Sequence, residues 1–267
     1  MPATPCKRDI DHLDNPVRPF VLIQISDLHI GAEWTGGDPK RTLAAAVAAV
    51  NGFPGGADAV LVSGDLTEHG GAAEYELARQ MLSGIGPMAL VIPGNHDERA
   101  AMRAAFDLPG EGSEPIQYGV DLGPLRLIAL DTTRPGNNAG ELDDARLAWL
   151  ENALSQGPER PTLIALHHPP LAIGIEVWDE IGLDAAGRKS LERIVAANPQ
   201  VLGTVSGHVH RTLLGQIGGR PALAIPSVYQ QARLAWELDE IELCADPPAF
   251  AVHTLIDGRL ISHIQPF

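Results

Sequence analysis

Five aliphatic runs in this chain stop abruptly at short polar stretches, and that punctuation constrains the fold more than any other feature. Phe20–Ile25 ends at Ser26-Asp27-Leu28-His29, residues 57–62 at Gly64-Asp65, and Met88–Ile92 at Gly94-Asn95-His96-Asp97. Thr162–Leu166 ends at His167-His168, and Val201–Val205 at Gly207-His208-Val209-His210. Short, continuous apolar runs bounded by turn chemistry read as strands buried on both faces, the habit of parallel strands covered by helices. The intervening segments 42–50, 72–82, 141–154 and 186–197, with a short one ending at Phe106, carry helical patterns. Gln117–Leu122 and Leu125–Leu130 form a predicted hairpin across Gly123-Pro124. After His210 the pattern turns to strands over 213–217, 221–225, 249–256 and 260–264, mostly antiparallel, with turns at Gly218-Gly219 and Asp257-Gly258.

Alternation followed by a strand-rich tail predicts an α/β fold, a four-layer α-β-β-α sandwich in which two packed mixed β-sheets are flanked by helices. Residues 1–18, Pro-rich and without periodicity, are expected to be an N-terminal arm. Residues 19–267 are expected to be a single domain, with 227–248 as a cap or interface excursion that carries Tyr229, Trp236 and an acidic run. An apolar, Trp-bearing excursion also allows a homodimer or higher oligomer.

Composition narrows the function classes. Aromatic residues make up 4% of the 267, so Val, Ile, Leu and Ala must do most of the packing. A formal charge of −15 argues against a sequence-independent grip on nucleic acid, which needs clustered Lys and Arg. It does not argue against a small anion, because bound divalent metals reverse the local field. Cys6 and Cys244 stand far apart and outside the polar stretches, so both are expected to be reduced and structural. No apolar stretch suits a membrane span or a signal core, and the expectation is a soluble cytoplasmic protein with no membrane partner.

The polar stretches gather six of the ten histidines with three aspartates and an asparagine. Asp27 and His29, like His208 and His210, lie two apart where a strand dissolves, so both side chains of each pair can reach the same side. Asp27, His29, Asp65, Asn95, one of His167 and His168, His208 and His210 make seven donors, too many for one tetrahedral zinc. Seven suits two metals sharing a carboxylate, with positions open for water and substrate. Mixed His, Asp and Asn ligation without thiolate favours Mn, Fe, Co or Zn in a working site.

Taken in order, Asp27-x-His29, Gly64-Asp65, Gly94-Asn95-His96-Asp97, His167 and Gly207-His208-x-His210 resemble the motifs of the calcineurin-like metallophosphoesterases. Ile92-Pro93 and Pro169-Pro170 are most similar to the small class III cyclic nucleotide phosphodiesterases, with the glycerophosphodiesterases close by. The resemblance implies that Asp27, His29 and His210 hold one metal, that Asn95, His167 and His208 hold the other, and that Asp65 bridges them. It implies a small phosphodiester substrate, a hydroxide shared by the metals as nucleophile, and His96 as a helper that binds a phosphate oxygen or protonates the leaving alkoxide. Asp97 is expected to fix the tautomer of His96 or to cap the following helix. His167 is chosen as the ligand because it directly follows the strand and matches the family position; His168 then lines the pocket or stays structural.

Outside these motifs, Arg134 and Arg211 are open to two readings, a substrate contact or a surface ion pair. Glu68 and His69 are read as loop polar groups, and Tyr75 and Arg79 as scaffold packing. A phosphomonoesterase on the same core is the alternative activity. A metal-binding interaction scaffold ranks lower, since no ligand of the motif set is missing.

Overall fold

Alternation of side chains along the buried strands decides which layer each residue joins. In the computed structural model, which describes residues 18–34, 37–237 and 240–267, the strand β1 (Phe20–Ile25) sends Val21, Ile23 and Ile25 to a helix-covered face, while Leu22 points into a second, deeper core. The chain continues through α1 (Pro39–Asn51), β2 (Ala59–Ser63), α2 (Ala72–Leu82), β3 (Met88–Ile92) and α3 (Arg99–Phe106). Parallel pairing joins β1 to β2 and β2 to β3. The last two strands, β12 (Ala249–Ile256) and β13 (Arg259–Pro266), form a hairpin that completes this first sheet antiparallel to β1, in the order β13-β12-β1-β2-β3.

The second sheet is built from the middle of the chain: β4 (Tyr118–Leu122), β5 (Leu125–Ala129), α4 (Asp144–Ser155), β6 (Thr162–Ala165), α5 (Glu176–Glu180), α6 (Ala185–Ala197), β7 (Val201–Ser206), β8 (Leu213–Ile217) and β9 (Arg220–Ala224). Its order is β4-β5-β6-β7-β9-β8, parallel across β5, β6, β7 and β9, with antiparallel strands at both edges. The tail is therefore less uniformly antiparallel than its sequence pattern predicts, because β9 returns beside β7 in parallel. Two short strands, β10 (Gln231–Ala232) and β11 (Leu243–Cys244), pair separately.

Three cores separate four layers. One lies under α1, α2 and α3 and one under α4 and α6. Between the sheets, Leu22, Leu61 and Ile92 meet Leu127, Leu163 and Val205. The expected α-β-β-α arrangement of two mixed sheets is what the chain adopts. Helix starts follow capping chemistry: Asp38, Asp143 and Asp184 each accept a backbone amide of the first turn. Asp143 also explains why α4 begins three residues later than its apolar pattern suggests. The short α5 and the β10–β11 pair were not expected, since neither spans enough residues to show a period. The expected arm, apart from Arg18, lies outside the described residues, as do Cys6 and Asp239 of the acidic run. Among the described residues no helix is long and apolar enough to cross a membrane.

Candidate metal centre

Every polar stretch leaves its strand at the same end of the molecule, and backbone bonds stitch the loops together. The amide of Asp27 donates to Gly64 O, those of Leu28 and His29 to Asp65 O, and that of Gly207 to His167 O. The amide of His208 donates to Asp27 Oδ1 at 3.0 Å, and the amide of His96 to Asp65 Oδ1 at 2.9 Å. The loops after β1, β2 and β3 in one sheet and β6 and β7 in the other thus converge on one buried point. Gly64 is needed there for a close approach: its φ is +101°, and a Cβ would run into the His167 imidazole.

Asp27, His29, Asp65, His208 and His210 all adopt positive φ, between 47° and 71°. Among the described non-glycine residues only Asp107 and Asp257 share this conformation. Left-handed backbone is costly for residues with a Cβ and persists where the surroundings over-determine it, which is typical of functional sites. The side chains converge through this unusual backbone rather than through simple strand alternation.

Hydrogen-bond roles test whether these residues fit a cation. His29 Nδ1 lies 2.7 Å from the Glu68 carboxylate and His210 Nδ1 lies 2.7 Å from Gln230 O, both acceptors, so each Nδ1 carries the proton. Their Nε2 atoms then present lone pairs, yet face each other at 3.1 Å. Asp27 Oδ1 is 3.6 Å from His210 Nε2. His167 repeats the pattern: Nδ1 donates to Ser63 O at 2.8 Å, leaving Nε2 3.1 Å from Asn95 Oδ1 and 3.3 Å from Asp65 Oδ2. His208 Nδ1 reaches the same Asn95 oxygen at 2.9 Å, and its Nε2 is buried without a partner. Converging lone pairs repel unless positive charge lies among them, and the donor atoms of Asp27, His29 and His210, and of Asp27, Asp65 and His167, each fall within 4.8 Å of one another. The residues fit a cation-binding cluster.

Electrostatics agree. Burial opposes charge on His167, but Asp65 and Asp27 outweigh it and push its pKa up to about 9, a mark of the negative potential at this point. Burial likewise opposes the Asp65 carboxylate, but His167, His96 and His29 hold it well below the usual range. His208 and His210 are depressed, chiefly by burial.

The doublet separates cleanly. His168 Nδ1 accepts from Thr132 Oγ1 at 2.8 Å and Nε2 donates to Asn138 O at 3.0 Å, so both nitrogens are occupied. Burial and His167 push its pKa down to about 3, which keeps it neutral. His168 is structural.

Three expectations require correction. Asp97 neither faces the His96 ring nor caps α3. Its carboxylate accepts from the amides of Gly94, Leu66 and Thr67 and from Tyr75 Oη, tying the β3 loop to the β2 loop. The His96 ring instead places Nδ1 3.0 Å from Glu68 O, and the α3 cap is Glu98. Tyr75, read as packing, is thereby a polar brace as well. Glu68, set aside as a loop group, contacts His29 directly and stands 3.8 Å from His96 Nδ1; an acid three residues past Asp65 was the available signal. Arg134 and Arg211 are both ion-paired, with Glu141 at 3.9 Å and Asp246 at 3.6 Å, and Arg134 also lines a small cavity with Asn95.

Above the cluster is a cavity of about 300 Å³. Its floor includes His29, Asp65, Asn95, His96, His208 and His210, and its walls are Trp34, Asn138, Trp178, Ile181, Ile241 and Leu243. The 227–248 excursion therefore contributes wall residues, which no periodicity revealed.

The family description "Calcineurin-like phosphoesterase" matches residues 20–212. The glycerophosphodiester phosphodiesterase GpdQ of Enterobacter lignolyticus is 30% identical over 252 residues, covering 91% of this chain and 90% of its own. The 3',5'-cyclic adenosine monophosphate phosphodiesterase CpdA of Pseudomonas aeruginosa is 33% identical over 215 residues, covering 79% and 77%. A dimetal phosphatase from Danio rerio superposes over 92% of this chain and 96% of its own with a TM-score of 0.67 at 14% identity, a likeness of fold. With its motif residues assembled at one sheet end and the family match spanning most of the chain, this protein belongs to the calcineurin-like phosphoesterases.

Proposed function

We propose that residues 19–267 act as one catalytic unit that hydrolyses small phosphodiesters at a two-metal centre. The observation that carries this reading is the pair of imidazole lone pairs, His29 Nε2 and His210 Nε2, held 3.1 Å apart beside Asp27 while both Nδ1 protons are committed elsewhere. Asp27, His29 and His210 would hold one ion, Asn95, His167 and His208 the other, and Asp65 would lie between them. Ions of the Mn, Fe, Co or Zn type, when bound, supply an acidified water and charge neutralisation for the phosphate.

The remaining tasks fall to the chain. His96 is partly exposed, lines the cavity, and is anchored by its own amide to Asp65 and by its ring to Glu68 O. These contacts support a role in which it hydrogen-bonds a phosphate oxygen or hands a proton to the leaving alkoxide. Glu68 orients His29, and Asp97 holds the loop on which Asn95 and His96 sit, so both are positioning residues. The curated relatives named above act on phosphodiesters, which supports the same class here. Purified protein reconstituted with Mn should turn over bis-p-nitrophenyl phosphate, and Asp65→Ala should abolish turnover. Metal-loaded, folded protein with no activity on any diester would sink the reading.

A further inference from the structure

The cavity floor is polar, but its walls are mostly apolar and carry an indole on each side of the ligand cluster. Trp34 sits with its ring centroid 4.5 Å from His29 and 6.0 Å from His210. Trp178 sits 5.8 Å from His208. Among the described residues no Lys or Arg lines the cavity. We infer that the substrate is a monoanionic phosphodiester carrying a planar aromatic arm, that this arm packs against Trp34, and that Trp34 sets the preference for such arms. The inference rests on the phosphodiesterase reading above and names the substrate within it.

Charge comes first. A phosphomonoester carries between one and two negative charges at neutral pH, whereas a diester carries one. With no wall cation, the floor alone must balance the phosphate, which disfavours the more highly charged ester. Shape points the same way. A diester has two organic arms, and the cavity offers two apolar walls, Trp34 beside the His29 side and Trp178 with Ile181 beside the His208 side. A monoester would leave one wall against water.

Trp34 is also held in advance of any ligand. Its ring stacks on Tyr229 at 5.2 Å with planes 28° apart, and it packs beside His29, the imidazole that Glu68 orients. A fixed indole costs little entropy to use as a stacking platform. Ile241 and Leu243, each 39% exposed, complete the apolar surface. On the opposite wall Asn138 is the only polar residue outside the floor, so a polyhydroxylated arm finds few partners among the described residues. The volume, about 300 Å³, suits a small ligand.

The test compares Trp34→Ala, Trp34→Leu and Trp34→Phe with the unaltered protein, all Mn-reconstituted, on bis-p-nitrophenyl phosphate and on glycerophosphoethanolamine, a diester with no aromatic arm. Loss of one stacking contact should raise KM for the aryl diester about tenfold in the Ala and Leu variants, with kcat within about threefold. Phe should restore KM to within about threefold, and in the Ala and Leu variants kcat/KM should fall less on glycerophosphoethanolamine than on the aryl diester. The unaltered protein should also favour bis-p-nitrophenyl phosphate over p-nitrophenyl phosphate at least tenfold in kcat/KM. An unchanged KM in all three variants overturns the inference. So does a loss of equal size on both diesters in the Leu variant, which keeps apolar volume at the site. Turnover of glycerophosphoethanolamine with indifference to Trp34 removes the aromatic arm and leaves the phosphodiesterase reading standing; no turnover of either diester by the unaltered protein removes both.

Discussion

Tyr75 Oη donates to Asp97 Oδ1 at 2.9 Å and accepts the Glu98 amide at 2.7 Å, so one phenol braces both the aspartate and the start of α3. The ring is fully buried, and burial together with the Asp97 charge raises its pKa, keeping the phenol protonated as a donor. Tyr75→Phe leaves the Glu98 amide without this partner and should cost about 1–3 kcal/mol in urea unfolding. Asp97→Asn replaces an oxygen that receives amide protons with an NH2 group and should cost at least as much. Equal stability of both variants to the unaltered protein would show that the brace is idle.

Glu68 makes a separate prediction, because it fixes which nitrogen of His29 carries the proton. Glu68→Gln should weaken metal binding about 10–100-fold while leaving the far-UV spectrum unchanged. Isothermal titration with Mn reads this directly, and an affinity within twofold of the unaltered protein would contradict it.

Candidate ligands come from loops of both sheets, so an ion bound there ties the sheets together and binds the folded chain preferentially. Stability should rise with metal concentration, by about 2.7 kcal/mol at 100 times the dissociation constant, and chelation should remove the gain. Thermal melts across a Mn series check the dependence. Asp65→Ala should flatten it.

His253 lies away from the centre, fully buried between Gln24 Oε1 at 3.0 Å and Ser262 Oγ at 2.7 Å. Burial pushes its pKa down to about 4 from the ordinary value near 6.5. Between these values the unfolded chain binds more protons than the fold, so stability falls as pH drops from about 6.5 towards 4. The full loss is about 3 kcal/mol. His253→Gln should reduce the slope of urea stability in that window, and an unaltered slope would assign it to other groups.

How much of this could be read from the chain depends on what signal each feature leaves. Strands β1, β2, β6 and β7 are buried on both faces and the edge strand β3 only at its C-terminal end, yet all five print as aliphatic runs, and the candidate ligands follow shortly after each run stops. His167 and His168 are alike in sequence; only Thr132 and Asn138, brought in from the loop after β5, tell them apart. Asp97 looked like a partner for its neighbour His96 because adjacency is all a sequence shows, whereas its donors come from 66, 67, 75 and 94. Trp34, Trp178, Ile241 and Leu243 belong to loops without periodicity, and their common cavity exists only after folding.

The left-handed backbone at Asp27, His29, Asp65, His208 and His210 sets stability against ligation at the same positions. Glycine adopts that conformation freely, so His210→Gly should leave the metal-free fold more stable than His210→Ala by about 1 kcal/mol, although neither retains a ligand. A substitution that relieves the backbone at any of these five positions therefore removes a candidate ligand in the same step, so the fold and the site cannot both gain there.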